Sequence, residues 1–173
     1  HAYTTGKADT WSNLVRVANG GKYNDFDFTT VLKRVGGISS GRYPANCLVV
    51  RMGAYTTSGK YLWYPGYRFC VTNAGKWAVY YVDLDQSTNT IYNWTANANI
   101  NKTGWNTLRV VAVGPDFKFY INGALIKSFT EESKDRGYVG ISGWKFLGTS
   151  TEFQIDRATM TVITSASPVA SSS

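Results

Sequence analysis

Two short stretches of this chain are crowded with groups suited to binding rather than to bond-breaking. Residues 55–67, YTTSGKYLWYPGY, hold Tyr55, Tyr61, Trp63, Tyr64 and Tyr67 in a run broken by Gly59, Pro65 and Gly66. So many rings in one turn-broken loop cannot all point into a core. A flat ring stacks on the apolar C–H face of a sugar while neighbouring amide, carboxylate or cationic groups bond its hydroxyls. The plainer reading folds Leu62 and one or two rings under the loop as a local mini-core. Residues 92–105, YNWTANANINKTGW, set Trp94 among Asn93, Asn97, Asn99 and Asn101. An amide both donates and accepts, which suits hydroxyls, although a polar hairpin with ordinary turn residues explains the same string. Arg51, Arg68 and Arg109 fall mid-strand, where a charge must face solvent or a groove. With Tyr80 and Lys118 they are candidates to line one face, the alternative being exposed sheet surface. The candidate ligand-binding set is therefore Tyr61, Trp63, Tyr64, Tyr67, Trp94, Arg51, Arg68 and Arg109.

Catalytic constellations are absent from the string. The only histidine is His1, so no Ser/His/Asp set can form around a mid-chain imidazole. An N-terminal histidine chelates copper with its amino group and ring, but that chemistry needs a further imidazole. No His/Cys cluster has zinc spacing and no Gly-rich phosphate loop occurs. Asp83 and Asp85 share a strand face at a hairpin edge, where a solvated turn is the simpler account. An enzyme is not expected.

The elements that must position these residues read as strands. In WNTLRVVAVGPDFKFYINGALIKSF, residues 105–129, alternating runs are separated by Gly114-Pro115-Asp116 and by Asn122-Gly123. The second pair tolerates positive φ at both positions and suits a two-residue type I′ hairpin. An antiparallel meander follows. Further strands are predicted over residues 10–18, 26–35, 45–52, 67–73, 76–84, 90–96, 138–142 and 152–164, with one helical turn at most near 129–135. Trp77, Trp105, Phe117, Phe119 and Phe153 are assigned to the core. Many short alternating strands between turns make an all-β sandwich. Residues 1–164 form one domain, and residues 165–173, SASPVASSS, form a Ser/Pro/Ala linker that implies neighbouring domains on the same polypeptide.

Aromatics make up 15% of the 173 residues, more than a core of this size requires, and so favour a recognition surface. The +7 charge permits anionic partners, but the basic residues are scattered, so no nucleic-acid track is expected. No run approaches the ~20 apolar residues of a membrane span. Cys47 and Cys70 lie in strand-like runs; a disulfide between neighbouring strands and two buried thiols both remain open. The low acid count and Ser/Thr/Asn/Gly richness favour a secreted or cell-surface protein.

The order ANCLVVRMG, YRFCVTNAGKWAVYYVD, GWNTLRVVAVGPDFKFYINGALIKSF, DRGYVGISG and TEFQIDRATM resembles the concanavalin-like, laminin-G-like jelly rolls, and most of all bacterial carbohydrate-binding modules. Trp105, Asn106, Tyr120, Asn122, Gly123, Gly137, Gly140 and Asp156 carry the likeness, which spans roughly residues 26–163. It implies two antiparallel sheets about 10 Å apart, with ligand on the concave sheet or in the loops of one rim. The superfamily's glycoside hydrolases place carboxylates in a Glu-x-Asp-x-(x)-Glu pattern that this chain lacks. Its lyases pair a His or Tyr with an Arg, Gln or Asn partner, in strings also missing here. Calcium is common in such folds and takes roughly six to eight oxygens. Asp25, Asp27 and Asp156 are the candidate ligands, a simple turn explaining Asn24-Asp25-Phe26-Asp27 equally well. No other cofactor is expected. The expectation is a monomeric, non-catalytic module binding poly- or oligosaccharide, the alternative being an adhesion or protein-interaction domain of laminin-G type.

Overall fold

Alternation in the sequence becomes two stacked sheets in the structure, a computed structural model that describes residues 2–4, 10–16, 21–36, 44–57, 60–145 and 151–164. These residues form β1 (Ala2–Thr4), β2 (Thr10–Arg16), β3 (Phe26–Gly36), β4 (Ala45–Met52), β5 (Tyr55–Thr57), β6 (Lys60–Leu62) and β7 (Gly66–Thr72) in the first half. The second half adds β8 (Lys76–Val82), β9 (Thr88–Ala96), β10 (Asn106–Val113), β11 (Asp116–Ile121), β12 (Ala124–Thr130), β13 (Tyr138–Lys145) and β14 (Thr151–Val162). One sheet runs β1-β14-β3-β10-β11-β12 and the other β2-β13-β4-β7-β8-β9, with β5-β6 a separate hairpin. Neighbouring strands pair antiparallel throughout, giving a jelly-roll β-sandwich. All eleven strands read from the sequence are present. β1 and the β5–β6 hairpin are additional, and they are three residues each, too short to carry a period. Residues 165–173 lie outside the described residues. Among those described, no helix is long and apolar enough to cross a membrane.

The core forms where the inward faces meet. Phe26, Phe28, Leu108, Val110, Phe117, Phe119 and Ile121 from one sheet pack against Leu48, Val50, Phe69, Val71, Trp77 and Val79 from the other. Phe69 lies 5.4–5.9 Å from the ring centroids of Phe117, Phe119 and Phe129. Burying each such side chain contributes about 1.5–3 kcal/mol. The Asn122-Gly123 turn has φ of 50° and 85°, as its residue types require. Asn122 also joins the turn to its surroundings: its Oδ1 accepts the Thr107 N–H at 2.7 Å and its Nδ2 donates to Asn99 O at 2.6 Å.

Several sequence assignments change. Trp105 is 42% exposed and is not a core residue. It precedes the inward-facing Asn106 and so shares the outward phase of Thr107 and Arg109. Residues 131–135 make bends and no helical turn, because Glu131 N–H donates to Pro115 O and Glu131 Oε1 accepts Ser133 N–H and Oγ–H. One glycine is sterically required. A Cβ on Gly137 would lie 2.6 Å from Met52 O and closer still to the Arg51 backbone. Gly137→Ala is expected to cost roughly 1–3 kcal/mol, read as a lower urea midpoint at unchanged slope; an unchanged midpoint would show that β4 and β13 can separate freely there.

Candidate functional site

Because Leu48, Val50, Phe69, Val71, Trp77 and Val79 face the core, their sequence neighbours on β4, β7 and β8 face outward. This outward face collects side chains from five strands. In one row Gly140 pairs with Val49, Val49 with Arg68, Arg68 with Tyr80 and Tyr80 with Thr90. In the next row Ser142 pairs with Cys47, Cys47 with Cys70 and Cys70 with Ala78. Cys47 and Cys70 form a disulfide across β4 and β7, which decides between the two states left open by the sequence.

The disulfide is the floor of a ring platform. Ala45, Cys47 and Cys70 are buried beneath Tyr80 and Trp94. The two rings meet edge to face at 5.9 Å, and the Trp94 side chain hydrogen-bonds the Tyr80 hydroxyl. Trp94 reaches this position through a bulge. Trp77 pairs with Thr95 and Val79 with Tyr92, so Asn93 and Trp94 together oppose the single small Ala78. Asn93 fixes the local backbone, its Oδ1 accepting the Trp94 N–H at 2.8 Å and its carbonyl accepting Thr95 Oγ–H at 2.9 Å.

A second ring group adjoins the first. Tyr64 is 7% exposed and packs with Val49, Met52 and Val82, while half-buried Trp63 meets Tyr138 edge to face at 5.7 Å. Val49 and Val82 are each two residues from Cys47 and Tyr80, placing the groups about 7 Å apart along the strands. The excursion 53–65 that carries these rings is closed by Gly53 N–H donating to Pro65 O at 2.6 Å. Arg68 lies between the groups, and burial pushes its guanidinium down to about 10, leaving it cationic at neutral pH. Ser142 Oγ is buried in the same floor with no hydrogen-bond partner among the described residues.

Of the candidate residues, the structure therefore brings Trp63, Tyr64, Arg68 and Trp94 to one face. Tyr80 joins them, as its pairing with the arginines suggested, and the disulfide that the sequence left open lies beneath them, whereas Tyr138 and Ser142 were missed. Their signal was the strand register, which the string alone does not fix. Tyr64 is the mini-core residue of the plainer reading. The Tyr61 side chain lies outside the described residues.

Three assignments are corrected. Tyr67 is fully buried in phase with Phe69 and Val71; its hydroxyl accepts the Lys134 N–H at 3.2 Å, and burial raises it to about 12. Arg51 is 1% exposed, its guanidinium bonded to backbone carbonyls and lying 4.7 Å over the Phe117 ring. Arg109 stands with Lys118 on the outward face of the opposite sheet. There it makes a two-point pair with Asp27 (Nε to Oδ1 2.8 Å, Nη2 to Oδ2 2.5 Å) and lies 5.0 Å over Tyr120.

The calcium set does not assemble either. Asp27 is held by Arg109, Asp25 Oδ1 accepts the Gly114 N–H at 2.8 Å, and Asp156 is five residues along β14 from Thr161, the partner of Asp27. That separation is roughly 16 Å. Among the described residues no three metal-ligating side chains cluster. Asn97 and Asn101 of the 97–104 loop are also committed: their side chains accept loop N–H groups, and Asn106 donates back to Asn101 O at 2.7 Å.

The profile of a family described as the 3-keto-alpha-glucoside-1,2-lyase-like domain matches residues 7–155. No curated protein matches significantly. Among solved structures, the carbohydrate-binding module CBM66 of Bacillus subtilis aligns at TM-score 0.63 and 16% identity, covering 90% of this chain and 83% of that one. The legume lectin-like domain of Entamoeba histolytica aligns at 0.58 and 13%, covering 94% and 84%. A GH43 protein of Bacillus licheniformis aligns at 0.54 and 14%, over 82% of this chain but 28% of that one. At these identities the likeness is one of fold.

Proposed function

The chain belongs to the 3-keto-alpha-glucoside-1,2-lyase-like domain family, and from that premise we propose that it is a non-catalytic carbohydrate-binding module of an exported, modular protein. The observation that carries the reading is the Trp94–Tyr80 platform, fixed from beneath by the Cys47–Cys70 bond. A ring held in this way loses little freedom when a sugar stacks on it. The Arg68 guanidinium lies beside the platform with a small exposed edge, and Trp63 extends it. A shallow, wet site of this kind gives micromolar to millimolar affinity, which a polymer or a neighbouring domain raises through effective concentration. The likeness to CBM66, and to a minor part of a GH43 chain, supports the same reading.

The family description favours a second reading, elimination from a 3-keto glucoside. That reaction needs a base to take the proton next to the ketone and a donor for the enolate oxygen. Among the described residues, the strands of this face carry no carboxylate and no imidazole. Tyr80, cross-strand from Arg68, offers a phenol instead, but burial raises its pKa, which disfavours the phenolate a base needs and supports binding over elimination.

A glycan array identifies the ligand. Trp94→Ala is then expected to weaken binding at least tenfold, about 1.4 kcal/mol, with little dependence on salt because stacking is not screened. Wild-type affinity in a folded Trp94→Ala variant would remove the platform. Turnover of a 3-keto glucoside would establish the second reading, and binding that collapses with salt would point to a charge-led protein contact.

A further inference from the structure

Residues 86–101, QSTNTIYNWTANANIN, carry no charge in a chain whose net charge is +7. Most of them form β9, the outermost strand of its sheet. Edge strands commonly carry lysine or other charges that discourage pairing with a foreign strand. In β9 the slips of register against β8 serve that purpose, which leaves its side chains free for another. They flank the rings described above. Thr88 pairs with Val82 of the Tyr64 group, Thr90 pairs with Tyr80, and Asn93 shares with Trp94 the place opposite Ala78. All three polar side chains are exposed.

Their hydrogen-bonding capacity is largely unspent. Asn93 Oδ1 accepts the Trp94 N–H at 2.8 Å, which fixes the amide and leaves the N–H groups of Nδ2 without an acceptor among the described residues. The Thr90 hydroxyl likewise has no partner among the described residues. Thr95 differs, its Oγ–H being given to Asn93 O at 2.9 Å. Tyr80 and Ala78 are two residues apart, so Thr90 and Asn93 stand about 7 Å apart along the edge. That spacing suits the hydroxyls of one sugar unit or of two adjoining ones.

The chemistry of this edge selects the ligand. Hydroxyls and amides donate and accept, as the hydroxyls of a sugar do. An anionic sugar calls for a cation in reach. On β7, β8 and β9 the cations are Arg68, which is 6% exposed, and Lys76, which pairs with Ala96 beyond Trp94. We propose that β9 is the contact edge of the platform, with Thr90 and Asn93 as specificity-determining residues, and that its ligand is an uncharged saccharide. This rests on the reading that the Trp94–Tyr80 platform binds carbohydrate.

The test is an array of neutral gluco-, manno-, xylo- and fructo-oligosaccharides beside uronate- and sulfate-bearing ones, then calorimetric titration with the tightest binder. Asn93→Asp keeps the acceptor for the Trp94 N–H and removes the amide donors, and Thr90→Val removes a hydroxyl at nearly constant shape. The expected result is binding of neutral oligosaccharides, weakened about three- to tenfold in each variant, as for the loss of one hydrogen bond. The near-ultraviolet spectrum of the tryptophans should be unchanged. Wild-type affinity in either variant, with Trp94→Ala still weakened, would overturn the contact edge and leave the platform standing. Weakening accompanied by a changed spectrum would assign the effect to the position of the ring and overturn the edge as well. A preference for acidic glycans that fades with salt would overturn the uncharged ligand. Binding of no glycan would overturn both the edge and the platform.

Discussion

Arg51→Met is expected to destabilise the domain by about 3–5 kcal/mol. The three carbonyls of Asn24, Lys134 and Gly114 take four hydrogen bonds from this side chain, and a hydrogen bond to a charged group contributes about 1.5–3 kcal/mol. Those carbonyls belong to the segment before β3, the segment after β12 and the β10–β11 turn, so one guanidinium ties together three separate stretches at one end of the sandwich. Its backbone has φ of 50°, a conformation that costs a bulky residue of order 1 kcal/mol and persists only where the surroundings compel it. Arg51→Lys should rescue less than half, because an ammonium lacks the planar fork that reaches several acceptors at once. Urea unfolding measures both. A loss below about 1 kcal/mol for Arg51→Met would mean that water replaces the guanidinium without strain, and the proposed clasp would be wrong.

Replacing both Cys47 and Cys70 with alanine should cost about 3 kcal/mol. The bond closes a 23-residue separation, and cross-links over loops of this length stabilise by roughly that amount through the unfolded chain. For a domain of this size the melting temperature should fall by about 6–12 °C. A second effect is local. Trp94 and Tyr80 rest on this bond, so the near-ultraviolet signal of the tryptophan should weaken below the melting transition, and any sugar affinity should fall with it. If the double variant retains that signal and binds as wild type, the platform is held by its bulge alone.

The meander of β10, β11 and β12 was legible because alternation, an Asn-Gly pair and a Pro-containing turn agreed with one another. The same alternation identified the face of each strand wherever it was applied consistently. Tyr67 shares the phase of Phe69 and Val71, and grouping it with the loop aromatics displaced it. Trp105 was one residue out of phase with Leu108, so its exposure was readable. Arg51 was not. It sits where the β4–β13 register slips, and a slip cannot be seen without the partner strand. The same holds for Trp94, whose placement depends on an extra residue in β9, and for the disulfide, which needed β4 and β7 to be neighbours. The aromatic stretches therefore named half of the candidate face, and long-range pairing supplied the rest.

The two sheets share one further property. Along β9 the pairing with β8 slips twice, and along β12 the pairing with β11 slips once. Each sheet thus ends, on one margin, in a strand whose outer row of amides and carbonyls is interrupted. A foreign strand cannot zip along such a row in continuous register. Along these two margins, the addition of a strand from a neighbouring copy is thereby disfavoured.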